Sequence, residues 1–364
     1  MKRTKELNTN KGITLIALVI TIIVMLILVA VTISMAVNGG LFNYAGKATG
    51  ETKNAIANES EGYDKYVQDM LIKYGVEEQT VTNPYETDGW EYAWTCTDGV
   101  WSELINKGET AEGDVVAKFY KTGKKAPANE EIGLPEGDEY HLIVEGQGNM
   151  GDLFAEDETT GDVSSNAWIK LMEEVESEQT IPMPYYTTEI IVCDGIANIP
   201  LGFAQQFFSL RSVVLGNSVK VIWGQSFYAC YNLESVKILG DVTEIGGYSF
   251  YYCSKLVTLE LPSSVKIIGD SAFFSCEKLA NITISNNVEN IGKGAFNGCT
   301  SLMKVKMLTT DYTKISIDGN VFLGLPAGSK IYVLSEEMKT KLEGRYDSTK
   351  TTVEVVTLEQ MNQI

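Results

Sequence analysis

Apolar and polar positions repeat every 23 residues through the second half of the chain. Four segments align slot for slot: "IWGQSFYACYNLESVKILGDVTE" from Ile222, "IGGYSFYYCSKLVTLELPSSVKI" from Ile245, "IGDSAFFSCEKLANITISNNVEN" from Ile268 and "IGKGAFNGCTSLMKVKM" from Ile291. A weaker copy starts at Ile199 with Phe203, Phe207 and Leu210. One slot holds Phe227, Phe250, Phe273 and Phe296, a second Cys230, Cys253, Cys276 and Cys299, and a third Leu233, Leu256, Leu279 and Leu302. Each Leu precedes two apolar residues that alternate with outward positions, as Val236 and Ile238 or Ile282 and Ile284 do. Such alternation marks a short strand with one buried face. A unit this short cannot bury its own apolar side, but stacked units share a continuous core. The pattern predicts a solenoid over 190–335, its strands stacked at ~4.8 Å. "IIVCDGI" (190–196) reads as a preceding partial coil and "NVFLGLPAGSKIYV" (320–333) as the closing one.

The order Ile-Gly-x-x-x-Phe-x-x-Cys-x-x-Leu resembles the BspA-like leucine-rich repeat family. That resemblance implies a bacterial surface protein used in adhesion or binding, and it implies no catalytic residues.

The N-terminal pattern is different. Ile13 to Val37 contains no charged residue, and a bilayer core needs about 20 apolar residues in a helix. Lys2, Arg3, Lys5 and Lys11 precede the span against one acid, Glu6. Positive flanks stay cytoplasmic, so the bulk of the chain is expected outside. Three readings are open: an uncleaved anchor, a secretory signal with a small-residue site at Ser34-Met35-Ala36, and a third based on Lys11-Gly12 followed by Ile13-Thr14-Leu15-Ile16. This last arrangement resembles the prepilin leader of type IV pilins and pseudopilins. The resemblance implies a prepilin-type peptidase as partner, cutting between Gly12 and Ile13, and methylation of the new terminus. The family's intramembrane Glu is replaced by Ala17, which counts against filament assembly.

Between span and repeats the pattern predicts a stalk, then a mainly β region. Ile56, Tyr63, Val67, Met70 and Tyr74 fall near helical spacing, with Gly75 as a stop. Trp90, Trp94 and Trp101 flank Thr97-Asp98-Gly99 as in a short hairpin, where a small core is the commoner role and stacking on sugar rings the rarer. A strand is expected at 114–121 among loops, and Leu142, Ile143 and Val144 lead into the solenoid. "EDETTGD" (156–162) lacks the ligand order of an EF-hand and reads as solvated loop. The expected organisation is leader 1–12, transmembrane helix 13–37, stalk helix 38–76, a small mainly β region 77–189, leucine-rich repeats 190–335 and a C-terminal tail 336–364.

Composition narrows the function. A net charge of −19 repels nucleic acid and anionic headgroups. With one histidine, His141, the sequence offers no His-rich metal site, and a nucleophilic triad only through His141 itself. No paired-carboxylate or Cys-x-x-Cys motif stands out, so neither an enzyme nor a metal or other cofactor is expected. The repeat cysteines read as a reduced core ladder, because parallel side chains on adjacent rungs are held too far apart for a disulfide. A second ladder of Tyr228, Tyr251 and Phe274 reads as edge packing or as an aromatic strip for ligands. Outward strand positions form a polar face, on which Lys237, Glu260, Thr283, Lys304 and Lys306 are the candidate ligand contacts. The expected function is cell-surface recognition or adhesion of a protein or glycan on another surface, from a membrane anchor at Ile13–Val37. The alternative is a minor pilin or pseudopilin-like subunit.

Overall fold

The computed structural model describes residues 80–85, 89–97, 100–101, 105–106, 114–128, 130, 133–151 and 183–364. The leader with Gly12 and Ile13, the span Ile13–Val37, the stalk and the loop 156–162 lie outside these residues. Among the described residues no helix is long and apolar enough to cross a membrane. The chain divides into two units, Met1–Glu77 with Glu359–Ile364, and Glu78–Leu358; the second carries the repeats.

The repeats build a β-solenoid of about 7 stacked coils. Ahead of it come β1 (Tyr92–Thr97), β2 (Val100–Trp101), β3 (Ile105–Asn106), β4 (Val115–Ala126) and β5 (Gly137–Gly146). The first strand of each coil is β6 (Thr187–Val192), β8 (Ser212–Leu215), β10 (Ser235–Ile238), β12 (Thr258–Leu259), β14 (Asn281–Ile284), β16 (Lys304–Met307) or β18 (Ser329–Val333). The second is β7 (Asn198–Ile199), β9 (Val221–Ile222), β11 (Glu244–Ile245), β13 (Ile267–Ile268), β15 (Asn290–Ile291) or β17 (Ser316–Ile317). These second strands form one parallel sheet in sequence order.

The core between the two strand layers follows the slots of the sequence. Phe227, Phe250, Phe273 and Phe296 are fully buried, as are the Cys and Leu slots beside them. The four rings stack at 5.2, 5.4 and 5.3 Å, and Phe322 extends the column at 5.6 Å. Identical residues at a fixed period place identical shapes one above another, so each coil fills the surface left by the last. Stacking this close also explains the Ile-Gly pair. A Cβ on Gly246 or Gly269 would lie 2.4 Å from a backbone nitrogen of the preceding coil, and one on Gly292 would lie 2.5 Å away. Two further positions per coil take left-handed backbone. One holds Gln225, Tyr248, Ser271 and Gly294, and the other Ala229, Tyr252, Ser275 and Gly298.

The first-strand layer is interrupted once. Among the described residues β12-β10-β8-β6-β5-β4-β1-β2, with β3 on β1, make one nine-stranded sheet, and β14-β16-β18 begin another. Pro262 follows β12 and bears on its pairing with β10, the preceding coil, and hence on the length of β12. In its slot Leu239 donates to the Leu215 carbonyl at 3.0 Å and Leu308 to that of Ile284 at 2.9 Å. Proline has no N–H to donate, and β12 keeps two residues where β8, β10, β14 and β16 have four.

Ahead of the repeats, Tyr92–Thr97 pairs antiparallel with Val100–Trp101, and Trp90 and Trp94 are buried. β4 runs beyond the expected 114–121: pairing with β5 resumes at Lys125↔Asp138 after a register shift, and Gly123 takes φ 78°. Lys121 and Lys125 both reach Asp138 at 2.6 Å, so the glycine and lysines that suggested loop belong to an irregular strand. β5 then pairs in parallel with β6, which spans the expected 189/190 boundary, so this region continues the solenoid sheet and covers its first coil. A strap, residues 80–85, crosses the outer face of that sheet. Val81 exchanges hydrogen bonds with Asp194 at 3.1 and 2.9 Å, Asn83 donates to the Tyr120 hydroxyl and to Glu145 at 2.9 Å, and Tyr85 stacks on Tyr120 at 4.5 Å. Tyr85 also meets His141, which stands between Glu189 at 3.3 Å and Glu139 at 3.8 Å.

Of the segment expected as a tail, residues 336–358 belong to the unit that carries the repeats. Ser335 caps α1 (Glu336–Lys341), accepting from the Met338 N–H at 3.2 Å. Met338 and Leu342 are fully buried, and β19 (Thr351–Val355) adds a parallel strand to β18.

Candidate functional site

Alternation along β14, β16, β18 and β19 buries Ile282, Val305, Ile331 and Val353 and turns their neighbours outward. Lys304 pairs in register with Asn281 on one side and Lys330 on the other, and Lys306 with Thr283 and Tyr332. One column therefore carries two cations, Lys304 and Lys330, on adjacent rungs, and the next carries Lys306 between Thr283 and Tyr332, with Glu354 beyond Tyr332. Lys330 also meets Glu354 at 2.8 Å. Partial burial, and after it the neighbouring charge of Lys304, holds the Lys306 ammonium pKa below its ordinary value. A cation in that position gains from any anion that approaches it.

The five residues singled out in the sequence do not share one sheet. Thr283, Lys304 and Lys306 lie together, while Lys237 is on β10 in the nine-stranded sheet and Glu260 follows the end of β12. Lys330, Tyr332 and Glu354 complete this face, one cation with its carboxylate partner and a phenol, and were missed. The signal was weak: Ile331 and Val333 alternate as in every coil, but Lys330 sits 26 residues after Lys304 rather than 23.

The Tyr228–Tyr251–Phe274 ladder stacks at 5.1 and 4.8 Å with interplanar angles of 3° and 13°. Each ring covers the face of the next, so the ladder turns edges outward and works mainly as packing. Tyr252 stands edge-on to Tyr251 and Phe274 and, like Tyr248, is exposed. All six cysteines are buried free thiols. Burial pushes Cys193 and Cys299 up to about 12 and raises Cys230, Cys253 and Cys276 as well.

Coils of this length, with a parallel sheet on each side of a Phe–Cys–Leu core, define a leucine-rich-repeat solenoid. Residues 201–325 match the family described as BspA type Leucine rich repeat region, in six copies. Among solved structures the chain is similar to a leucine-rich repeat protein from Bacteroides ovatus, at 28% identity over 47% of this chain and 43% of that one, with a TM-score of 0.41. It is also similar to the pneumococcal vaccine antigen PcpA, at 22% identity over 47% and 42% with a TM-score of 0.40. A leucine-rich cell surface protein from Faecalibacterium prausnitzii matches at 20% identity over 62% and 48%, with a TM-score of 0.32. The chain spans less than half the length of each of these three proteins. No curated protein matches it significantly.

Proposed function

We propose that the protein is a non-enzymatic recognition or adhesion module of the cell surface, binding an acidic group of a protein or glycan on the β14–β16–β18–β19 face. The observation that carries this reading is the register of Lys304 with Lys330 and of Lys306 with Tyr332, on a rigid sheet, in a chain of net charge −19. Fixed cations at Lys304 and Lys306, beside the amide of Asn281 and the hydroxyls of Thr283 and Tyr332 and with Glu354 engaged by Lys330, recognise an anion through charge-assisted hydrogen bonds at little ordering cost. The repeat region supports it, since solenoids offer extended binding surfaces. Presentation is by the span Ile13–Val37, after a prepilin-type peptidase has cut between Gly12 and Ile13. Domain limits at 12, 37 and 76 remain part of this reading.

A glycan and extracellular-matrix array probed with the full-length chain tests the binding. Retention on acidic spots supports the reading, and retention indifferent to acidic groups refutes it. Mass spectrometry of the native N-terminus tests the anchor separately, with Ile13 as the expected first residue.

A further inference from the structure

We infer that a polar groove on the flank of the solenoid binds an extended, uncharged saccharide chain, at a second site independent of the lysine-bearing face. The groove encloses about 660 Å³ between the β4–β5 connection, which supplies Pro127, Ala128 and Glu130, and the turns leading into β8, β10, β12 and β14. One slot of the repeat runs along its floor as Ser209, Asn232, Lys255 and Lys278. Three rung steps extend ~14 Å along the solenoid axis at ~4.8 Å each. A floor that repeats with the coil suits a ligand that is itself a chain.

Charge selects the chemistry. Arg211, Lys255 and Lys278 face the groove with Glu130, Glu234 and Glu277. The two signs cancel within the groove, although the whole chain is at −19. Among the described residues none of these six is in an ion pair with another; Lys255 donates instead to the Asn232 side chain at 2.5 Å. A polyanion would be drawn to three of these groups and repelled by the other three, and a polycation likewise. An apolar chain would strip water from all six without replacing it. A hydroxyl both donates and accepts, so it satisfies carboxylates and cations alike.

The backbone argues against a peptide strand. Main-chain groups of the floor are already used between coils: Glu234 N–H donates to Arg211 O at 2.8 Å, Val257 N–H to Glu234 O at 3.1 Å and Lys278 N–H to Ser254 O at 3.1 Å. Side chains are left to read the ligand. Asn232 is held in place by donating to the Phe208 carbonyl at 2.6 Å, and Tyr231 at the groove's edge stacks on Phe208 at 6.0 Å and 3°. A fixed ring beside fixed polar groups is pre-organised for a ring-shaped ligand with apolar C–H faces and polar edges.

Calorimetry with the full-length chain tests the inference. The probes are linear neutral hexasaccharides of glucose, galactose and N-acetylglucosamine, the corresponding hexauronate, and an uncharged hexapeptide, each at low and high salt. We expect one of the neutral hexasaccharides to bind with an affinity that salt does not change. Exposed Glu234→Ala and Arg211→Ala should each weaken it by about tenfold at an unchanged melting temperature. Lys304→Glu with Lys306→Glu should leave it intact, which separates this site from the lysine face. The inference is overturned if no neutral saccharide binds, if only the uronate or the peptide binds, or if binding survives both groove variants.

Discussion

The thiol of Cys253 donates to the carbonyl oxygen of Phe227 at 3.2 Å, one coil earlier. Cys276 does the same to Phe250 and Cys299 to Phe273 at 3.2 Å, and Cys230 to Ala204 at 3.0 Å. In these four coils the slot holds a small side chain that packs as a hydrophobe and still offers one donor to a carbonyl that turns into the core, while Phe207 fills it one coil earlier by bulk alone.

This relation makes the cysteines structural and chemically silent. Their pKa values are raised by burial, and the thiolate is the reactive form. Alkylation of the native protein at mildly alkaline pH should leave Cys230, Cys253, Cys276 and Cys299 unmodified, and denaturant should expose all four. Cys253→Ala removes the donor and leaves a small void, costing about 1–2 kcal/mol in a denaturant melt. Rapid native labelling at Cys253 would contradict the ladder.

Left-handed backbone gives a prediction of opposite sign. Ser275 holds φ 55° in a slot that Gly298 and Gly324 fill in the next two coils. Ser275→Gly should raise stability by about 1 kcal/mol, since glycine adopts this region without a Cβ clash. Gly298→Ala should lower it, because the added Cβ would lie 2.8 Å from Ser275 Oγ. Thermal melts of the pair check both directions.

Stability should also depend on His141. Burial holds its pKa below the ordinary 6.5, outweighing the opposite pull of Glu189 and Glu139. The unfolded chain then takes up a proton from about pH 6.5 downward, before the folded one does. Stability from this group is complete above that pH and is lost as pH falls towards the folded value. Urea melts across this window should show the loss, and His141→Gln should flatten it. The positions to watch are Tyr85 and Val81 of the strap, which hydrogen exchange would show loosening first.

The solenoid was legible because buried slots tolerate one size and repeat it: Phe250 and Cys253 announce the same packing as Phe273 and Cys276. The rest was hidden for reasons of distance and spacing. The strap depends on partners far along the chain, such as Asp194 for Val81, 113 residues away, and no local pattern reveals such a pair. β19 escaped because the pairing Lys330↔Thr352 steps by 22 residues after a step of 26 from Lys304 to Lys330. For the same reason Lys330 could not be grouped with Lys304 and Lys306 before the register was known.

The lysine face is tested most directly by the salt dependence of binding to an acidic ligand found on the array, measured for the parent and for Lys304→Glu with Lys306→Glu. Exposed charges are screened within ~8 Å at physiological ionic strength, so the parent's affinity should fall as salt rises. The double variant should bind at least about tenfold more weakly at low salt and lose most of the salt dependence, with its melting temperature unchanged. Equal affinity of parent and variant across the salt range would contradict the account and remove the β14–β16–β18–β19 face as the site.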